Sequence, residues 1–99
     1  MNPIRDLKIY YTYVLLSTKD NQLYTGVTNN LKERFRHHKN GLVSSTKNRT
    51  PLKLIYYEVC LNRKDAYCRE KYLKTSMGKK YIKNRLKRYL NYAENKKNL

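Results

Sequence analysis

The sequence predicts a small α+β fold with a three-stranded, mostly antiparallel sheet flanked by helices, in the order β-β-α-β-α-α. Two observations predict it: short aromatic and β-branched segments separated by turn residues, and longer segments whose apolar residues recur at helical spacing. A chain of 99 residues has room for one domain with a modest core, expected at residues 1–92. Residues 93–99 are expected to form a disordered basic tail.

The first two strands are predicted at Ile9 to Leu16 and at Leu23 to Thr28, which are rich in aromatic and β-branched residues. The residues between them, Ser17 to Asn21, have turn chemistry. The natural arrangement for two such strands and a short polar turn is a β-hairpin. We therefore expect these strands to pair with each other in an antiparallel ladder.

The register of this hairpin places two tyrosines on one face of the sheet. A four-residue loop pairs Tyr13 directly with Gly26 and puts Tyr24 in the diagonal position. Because Gly26 has no side chain, we expect open space over the sheet at this point, which suits the close approach of a ligand.

The first helix is predicted between the second strand and a polar, basic loop. Asn30 with Glu33 three residues later is typical of a capping arrangement, and the helical pattern ends before Gly41. Arg34 and His38 lie one turn apart on this helix and flank its apolar stripe. We expect both side chains near the edge of the buried face, directed back towards the sheet.

The second half of the chain is predicted to contain one strand and two helices. Leu52 to Val59 has the composition of a third strand. Asn62 can cap a second helix that runs to about Thr75, and Gly78 is predicted to precede a third helix.

Glu70 has an unusual position in the second predicted helix. It lies between Ala66 and Leu73 on the apolar face, four residues after the first and three before the second. Burying an unpaired carboxylate is costly, so we expect Glu70 either to hold a metal ion or to form an ion pair with Lys74 or Arg69.

The charge of the chain points to a polyanionic partner. Lys and Arg number 23 against seven Asp and Glu, which gives a formal charge of +16, and the cations are spread along the sequence. A membrane surface is disfavoured because tryptophan is absent and no apolar segment approaches the roughly 20 residues needed to span a bilayer. Nucleic acid is the expected partner.

The two cysteines are expected to be reduced, partly buried thiols. Cys60 and Cys68 are eight positions apart, without the CxxC spacing or the second pair of a zinc site. The N-terminal residues lack the apolar segment of a secretory signal, so we expect a cytoplasmic location.

Five elements of the sequence, taken in order and at their spacing, resemble the GIY-YIG nucleases. This family includes homing endonucleases, the N-terminal nuclease domain of the bacterial excision-repair endonuclease and small stand-alone bacterial proteins. The resemblance covers nearly the whole chain and implies a GIY-YIG nuclease-like fold. The five elements are Tyr11-Thr12-Tyr13 for GIY, Tyr24-Thr25-Gly26 for YIG, Arg34, His38 and Glu70.

The chain departs from the family pattern at two places. Tyr11 and Thr12 stand where the family motif has Gly and Ile, so the first element keeps only its tyrosine. Val27 follows the YIG glycine, where the excision-repair branch has a lysine, and any role of that lysine must be met by another group. Several family members also carry a late asparagine near the phosphate, and Asn84 is our candidate for it.

The resemblance implies hydrolysis of DNA phosphodiester bonds with one divalent cation, Mg²⁺ or Mn²⁺. Glu70 would hold the metal, and Arg34 would stabilise the charge of the transition state. Tyr13 would orient the water or the phosphate. Tyr24 is the family-like candidate for the general base, with His38 relaying the proton or taking it outright, and the sequence leaves this choice open.

The resemblance further implies DNA as the partner, including branched or damaged DNA, in repair or recombination. We expect low sequence specificity, because 99 residues leave no room for a separate reading module and phosphate contacts do not specify bases. The charge-rich loop can track the phosphate backbone or simply be solvated. The residues predicted to contact the nucleic acid are Gly26, Lys47, Arg49, Lys53 and Asn84.

Two alternative functions stay open from the sequence. The first is a nucleic-acid-binding module that has kept the fold and lost efficient cleavage. The second is a structural role on folded RNA, so RNA is a second possible partner. The presence of Tyr24, Arg34 and Glu70 favours the nuclease, because binding alone does not need an acid in a basic groove. The sequence does not specify an oligomeric state.

Overall fold

A computed structural model describes residues 7–91, and the predicted tail at 93–99 lies outside the described residues, as do both ends of the predicted domain at 1–92. The order β-β-α-β-α-α and the α+β class are confirmed. The elements are β1 (Tyr10–Ser17), β2 (Leu23–Thr28), α1 (Leu31–Lys39), β3 (Leu52–Cys60), α2 (Arg63–Leu73) and α3 (Ser76–Arg85).

The sheet has the strand order β2-β1-β3, and both strand pairs are antiparallel. Tyr13 pairs with Gly26 and Leu15 pairs with Tyr24, so the predicted register is confirmed. The Ser17 amide donates to the Gln22 carbonyl at 3.0 Å, which closes the four-residue loop at 18–21. The two motif tyrosines therefore lie diagonally on the same face.

The central strand β1 is covered by helices on both faces. Tyr13 and Leu15 belong to a core cluster on the α1 side, against which Phe35 packs. Val14 belongs to a second cluster, with Leu73 of α2 and Ile82 of α3. Alternation along β1 thus divides its side chains between two thin hydrophobic layers, and burial of both layers fixes α1 and α2 on opposite sides of the sheet.

Asparagine side chains cap α1 and α2 as the sequence predicts. The Asn30 side chain accepts from the Glu33 amide at 3.2 Å. The Asn62 side chain accepts from the Lys64 and Asp65 amides at 2.9 and 3.2 Å. These bonds satisfy amides that have no partner within the helix, so each cap sets the residue at which its helix begins.

The start of α3 was predicted wrongly. The helix begins at Ser76, capped by Thr75, and Gly78 lies inside its first turn. A Cβ atom at Gly78 would lie 2.5 Å from the Leu73 Cα and still closer to the Tyr72 carbonyl oxygen. The glycine therefore allows α3 to pack against the end of α2, and this tertiary contact cannot be read from local sequence.

Two smaller findings concern the membrane and the cysteines. Within residues 7–91, every helix is too short or too polar to cross a bilayer. Both cysteines are free thiols; Cys60 is half-buried as expected, whereas Cys68 is exposed. The expectation of burial was wrong for Cys68 because it lies on the solvent side of α2.

Replacing Gly78 by alanine is expected to destabilise the protein by about 1–3 kcal/mol, because the added methyl group overpacks the contact with α2. At an open position inside a helix the same change would stabilise by up to about 1 kcal/mol, so the sign of the effect tests the close approach. Urea denaturation measures it, with Lys80→Ala on the exposed side of α3 as the control. A stabilising Gly78→Ala would contradict the contact.

Candidate active site

A cleft of about 620 Å³ lies over β2, the edge strand, between α1 on one side and α2 and α3 on the other. It brings together most of the residues that the sequence singled out, from both faces of the sheet. The charged and aromatic residues that line it are Tyr13, Tyr24, Arg34, His38, Tyr67, Glu70, Lys74 and Lys79.

Tyr13 is the centre of the hydrogen bonding on the α1 side of this cleft. Its side chain is 3% exposed, and its hydroxyl oxygen lies 2.9 Å from the His38 Nε2. The Arg34 Nε donates to the same oxygen at 3.4 Å. Arg34 and His38 are one helical turn apart on α1, so a single helix face delivers both groups to the phenol.

The other ring nitrogen of His38 contacts a residue that the sequence did not indicate. The His38 Nδ1 lies 2.7 Å from the Thr46 Oγ1, and Thr46 is buried. We assign the Nδ1 proton to this bond, because the Tyr13 hydroxyl then donates to Nε2 while it accepts from Arg34. The opposite tautomer would leave the Tyr13 hydroxyl proton without an acceptor among these contacts.

Thr46 belongs to the loop between α1 and β3, which the hairpin holds in place. The Ser17 hydroxyl donates to the Arg49 carbonyl at 2.6 Å, and the Lys19 Nζ donates to the Asn48 carbonyl at 3.0 Å. These bonds join the loop to the turn after β1. This loop has no helical or strand periodicity, so its position depends on tertiary contacts. For that reason no sequence pattern could have indicated Thr46.

Burial keeps His38 neutral. Together with the neighbouring Arg34 and His37 charges, it lowers the pKa of His38 from 6.5 to about 4. Burial also raises the pKa of Tyr13, against the hydrogen bond and the charge of Arg34, which lower it. At neutral pH the pair is therefore a neutral phenol bonded to a neutral imidazole.

Tyr24 lines the cleft, but its hydroxyl is bonded elsewhere. It donates to the Asp20 Oδ2 at 3.1 Å, and Arg49 pairs with the same oxygen at 3.1 Å. Burial and the bond to Asp20 raise the pKa of Tyr24. The carboxylate next to Tyr24 favours the neutral phenol, against the charge of Arg49. By contrast, the guanidinium next to Tyr13 favours the phenolate, against burial and the charge of Glu70.

The space over Gly26 is filled, contrary to the sequence expectation. A Cβ atom at this position would lie 2.6 Å from the Tyr13 Cζ and closer still to its hydroxyl. The missing side chain therefore makes room for the Tyr13 ring on the neighbouring strand. The prediction of open space for a ligand was wrong, because the side chain of the directly paired residue, Tyr13, occupies the volume above the glycine.

On the α2 side of the cleft, Glu70 is the acidic residue. Its carboxylate lies 3.7 Å from the Lys74 Nζ, and its side chain is 19% exposed. Arg69, the other expected partner, donates to both oxygens of Glu58 at 2.8 and 3.0 Å. Its guanidinium also lies 4.9 Å from the centre of the Tyr81 ring. Arg69 is thus committed to β3 and α3, and Glu70 faces the cleft with Lys74.

The donors at Glu70 fit a hard divalent cation that keeps most of its water. Within residues 7–91 there is no cluster of three or more His, Cys, Asp or Glu side chains. A single carboxylate in an open cleft is the environment in which Mg²⁺ binds with few protein ligands and keeps several of its waters, whereas zinc and iron need more protein ligands.

The remaining predicted contact residues do not line the cleft. Lys47, Lys53 and Asn84 are exposed, and Arg49 is paired with Asp20. Lys79 lines the cleft instead, at the start of α3. The sequence missed it because the packing of α3 against α2, which depends on Gly78, decides which of its lysines turns inward.

We expect the free energy of unfolding to fall as the pH is lowered from about 6.5 to about 4, by up to about 3 kcal/mol more than in His38→Gln. The folded chain keeps His38 neutral over this window, whereas the unfolded chain takes up a proton, so acid favours unfolding. Urea titrations at several pH values measure the difference. Lys80→Gln, on the exposed side of α3, is the control and should keep the wild-type dependence; an equal slope in His38→Gln would contradict the assignment.

Comparison with known proteins identifies the family of the chain. Residues 9–83 match the family described as the GIY-YIG catalytic domain. A UPF0213 protein of Clostridium perfringens is 46% identical over 65 residues, which cover 65% of this chain and 69% of the relative. A UPF0213 protein of Pediococcus acidilactici is 40% identical over 81 residues, covering 76% and 82%. No solved structure matches the chain. The chain therefore belongs to the GIY-YIG catalytic domain family, which is a nuclease family.

Proposed function

We propose that this protein is a metal-dependent endonuclease that hydrolyses DNA phosphodiester bonds with little sequence specificity. The observation that carries the proposal is the convergence of two halves of a site on one cleft. A buried phenol bonded to a neutral histidine and an arginine lies on one side, and the carboxylate of Glu70 lies on the other. A protein that only binds nucleic acid has no need of this arrangement.

Glu70 is the residue proposed to hold one Mg²⁺ or Mn²⁺ ion, which when bound would neutralise charge on the leaving oxygen and on a non-bridging oxygen of the phosphate. Arg34 is proposed to bind the phosphate and to stabilise the charge of the pentacovalent transition state. Lys74 and Lys79 add positive charge to the cleft. Their role is to attract and hold the backbone, and such contacts do not distinguish bases.

We propose that Tyr13 and His38 act together as the general base. The Tyr13 oxygen takes a proton from the attacking water while its own proton passes to the His38 Nε2, 2.9 Å away. The resulting hydroxide attacks phosphorus, and the bond to the leaving oxygen breaks. The proton held by His38, whose pKa is about 4, then passes back through Tyr13 to the leaving oxygen or to solvent. Arg34 stabilises negative charge on the phenol oxygen during the transfer. Thr46 fixes the tautomer that leaves Nε2 free to accept.

This assignment differs from the sequence-based preference for Tyr24. The hydroxyl of Tyr24 already donates to Asp20, and a phenolate there would face a carboxylate. We therefore propose that Tyr24 positions the substrate at the β2 edge. Gly26 acts by admitting the Tyr13 ring.

Charge and family membership support the proposed substrate and setting. The formal charge of +16 supports a nucleic-acid partner, and DNA in repair or recombination, including branched or damaged DNA, stays our proposal. Lys47, Lys53 and Asn84, all exposed, stay proposed contacts to the backbone outside the cleft. A cytoplasmic location also stays a prediction, with which two free thiols agree.

Cleavage of duplex, single-stranded and branched DNA and of RNA, with Mg²⁺, Mn²⁺ or a chelator, tests the proposal. We expect metal-dependent cuts in DNA, lowered by about 100-fold or more in Glu70→Gln because the ion loses its carboxylate. Glu33→Gln removes an equal charge from an exposed acid outside the cleft and should keep wild-type activity. Metal-independent cleavage, equal cleavage by Glu70→Gln, or cleavage of RNA alone would refute it.

The identity of the base is tested by single-turnover rates of Tyr13→Phe, His38→Gln and Tyr24→Phe. We expect the first two to lower the rate by about 100-fold, the usual contribution of a positioned base, and the third to lower it by less than about tenfold. Thermal unfolding of each variant separates lost chemistry from lost folding. A large loss confined to Tyr24→Phe would restore Tyr24 as the base.

A further inference from the structure

A second, smaller cavity adjoins the cleft at the far end of β2. Its volume is about 240 Å³, and Val27, Arg34 and Tyr67 line both it and the cleft. We call it the flanking pocket. Its other lining residues are Tyr10, Thr28, Asn29 and Arg63. Because Arg34 lines both cavities, a strand whose phosphate contacts Arg34 in the cleft has room to continue into the flanking pocket.

The chemistry of the flanking pocket differs from that of the cleft. It is lined by two arginines and two tyrosines, and none of its lining residues carries a carboxylate. The Arg63 guanidinium lies 5.9 Å from the centre of the Tyr10 ring, which restricts its position. No acid within residues 7–91 forms an ion pair with Arg63. This guanidinium is therefore available to an anionic ligand.

Tyr67 offers an aromatic surface beside that guanidinium. Its side chain is 49% exposed, although it lines both cavities, and it lies one helical turn after Arg63. Arg63, Tyr67, Glu70 and Lys74 follow one another at spacings of four, three and four residues, so they form one stripe along α2. Arg63 precedes Glu70 by about 10 Å along the helix axis. Along an extended single strand, a phosphate close to the one at Glu70 can therefore lie at Arg63.

We propose that the flanking pocket binds an unpaired nucleotide next to the scissile phosphate, with Arg63 on its phosphate and Tyr67 stacked on its base. Tyr10 is a positioning residue that holds Arg63. A base can stack on Tyr67 only if one of its faces is free, which excludes a base inside a regular duplex. The inference rests on the proposed nuclease function and specifies its substrate class: nucleic acid with unpaired nucleotides beside the cut.

Binding measured in chelator tests the pocket independently of cleavage. Fluorescence anisotropy compares a blunt duplex with the same duplex carrying a short single-stranded flap. We expect the wild type to bind the flapped DNA more tightly. Arg63→Gln and Tyr67→Ala are each expected to lower affinity for the flapped DNA about tenfold, the effect of losing one phosphate contact or one stacked base, and to leave the duplex nearly unchanged.

The salt dependence of binding distinguishes the two variants, and a third variant tests the aromatic ring of Tyr67. Arg63→Gln should reduce the slope of log affinity against log salt by about one, whereas Tyr67→Ala should leave it unchanged. Tyr67→Phe keeps the aromatic face and should bind as the wild type does. Arg36→Gln removes one charge from the exposed side of α1 and is the control.

Equal losses on duplex and flapped DNA, or no loss on either, would overturn the proposal, as would a loss in Tyr67→Phe equal to that in Tyr67→Ala. Failure of the nuclease proposal looks different, because it appears as absent or metal-independent cleavage with the binding preference intact. The flap preference and its loss in Arg63→Gln and Tyr67→Ala would support the pocket even in that case.

Discussion

The hydrogen bond between the buried Tyr13 phenol and the His38 imidazole is the interaction on which the rest of the site depends. It requires a strand position with no side chain opposite, which Gly26 provides, and a helix placed so that residue 38 faces the sheet. It also requires Thr46 to satisfy the second ring nitrogen, since a buried histidine with an unsatisfied nitrogen would be costly. Hairpin, helix and loop each supply one part of it.

The two faces of the sheet contribute different chemistry to one cleft. The α1 face holds the groups that can exchange a proton, and the α2 face holds the carboxylate and the lysines. The sheet separates the groups of the α1 face from those of the α2 face. Both groups line the cleft at β2, the strand at the edge of the sheet. The charge of Glu70 already contributes to the raised pKa of Tyr13, and a carboxylate packed directly against the phenol would raise that pKa further.

Local chemistry explains what could be predicted from the sequence. The strands, the hairpin register and the asparagine caps depend on neighbours within a few residues, and Glu70 is conspicuous as an acid on an apolar helix face. The roles of Gly26 and Gly78 were misjudged because each depends on which distant atom occupies the vacant volume. Thr46 could not be predicted from the sequence, because its partner lies on another element and its loop has no periodicity.

The location of the cleft over β2 has a consequence for self-association. An edge strand presents free backbone donors and acceptors, which invite pairing with a strand from another molecule. Here the cations that serve the cleft, Arg34, Lys74 and Lys79, stand around that edge. A second copy of so basic a chain is repelled from it, whereas a phosphate backbone is attracted. The same charges thus favour a phosphate backbone at the sheet edge and disfavour pairing of that edge with a second copy of the chain, which lowers the tendency to aggregate.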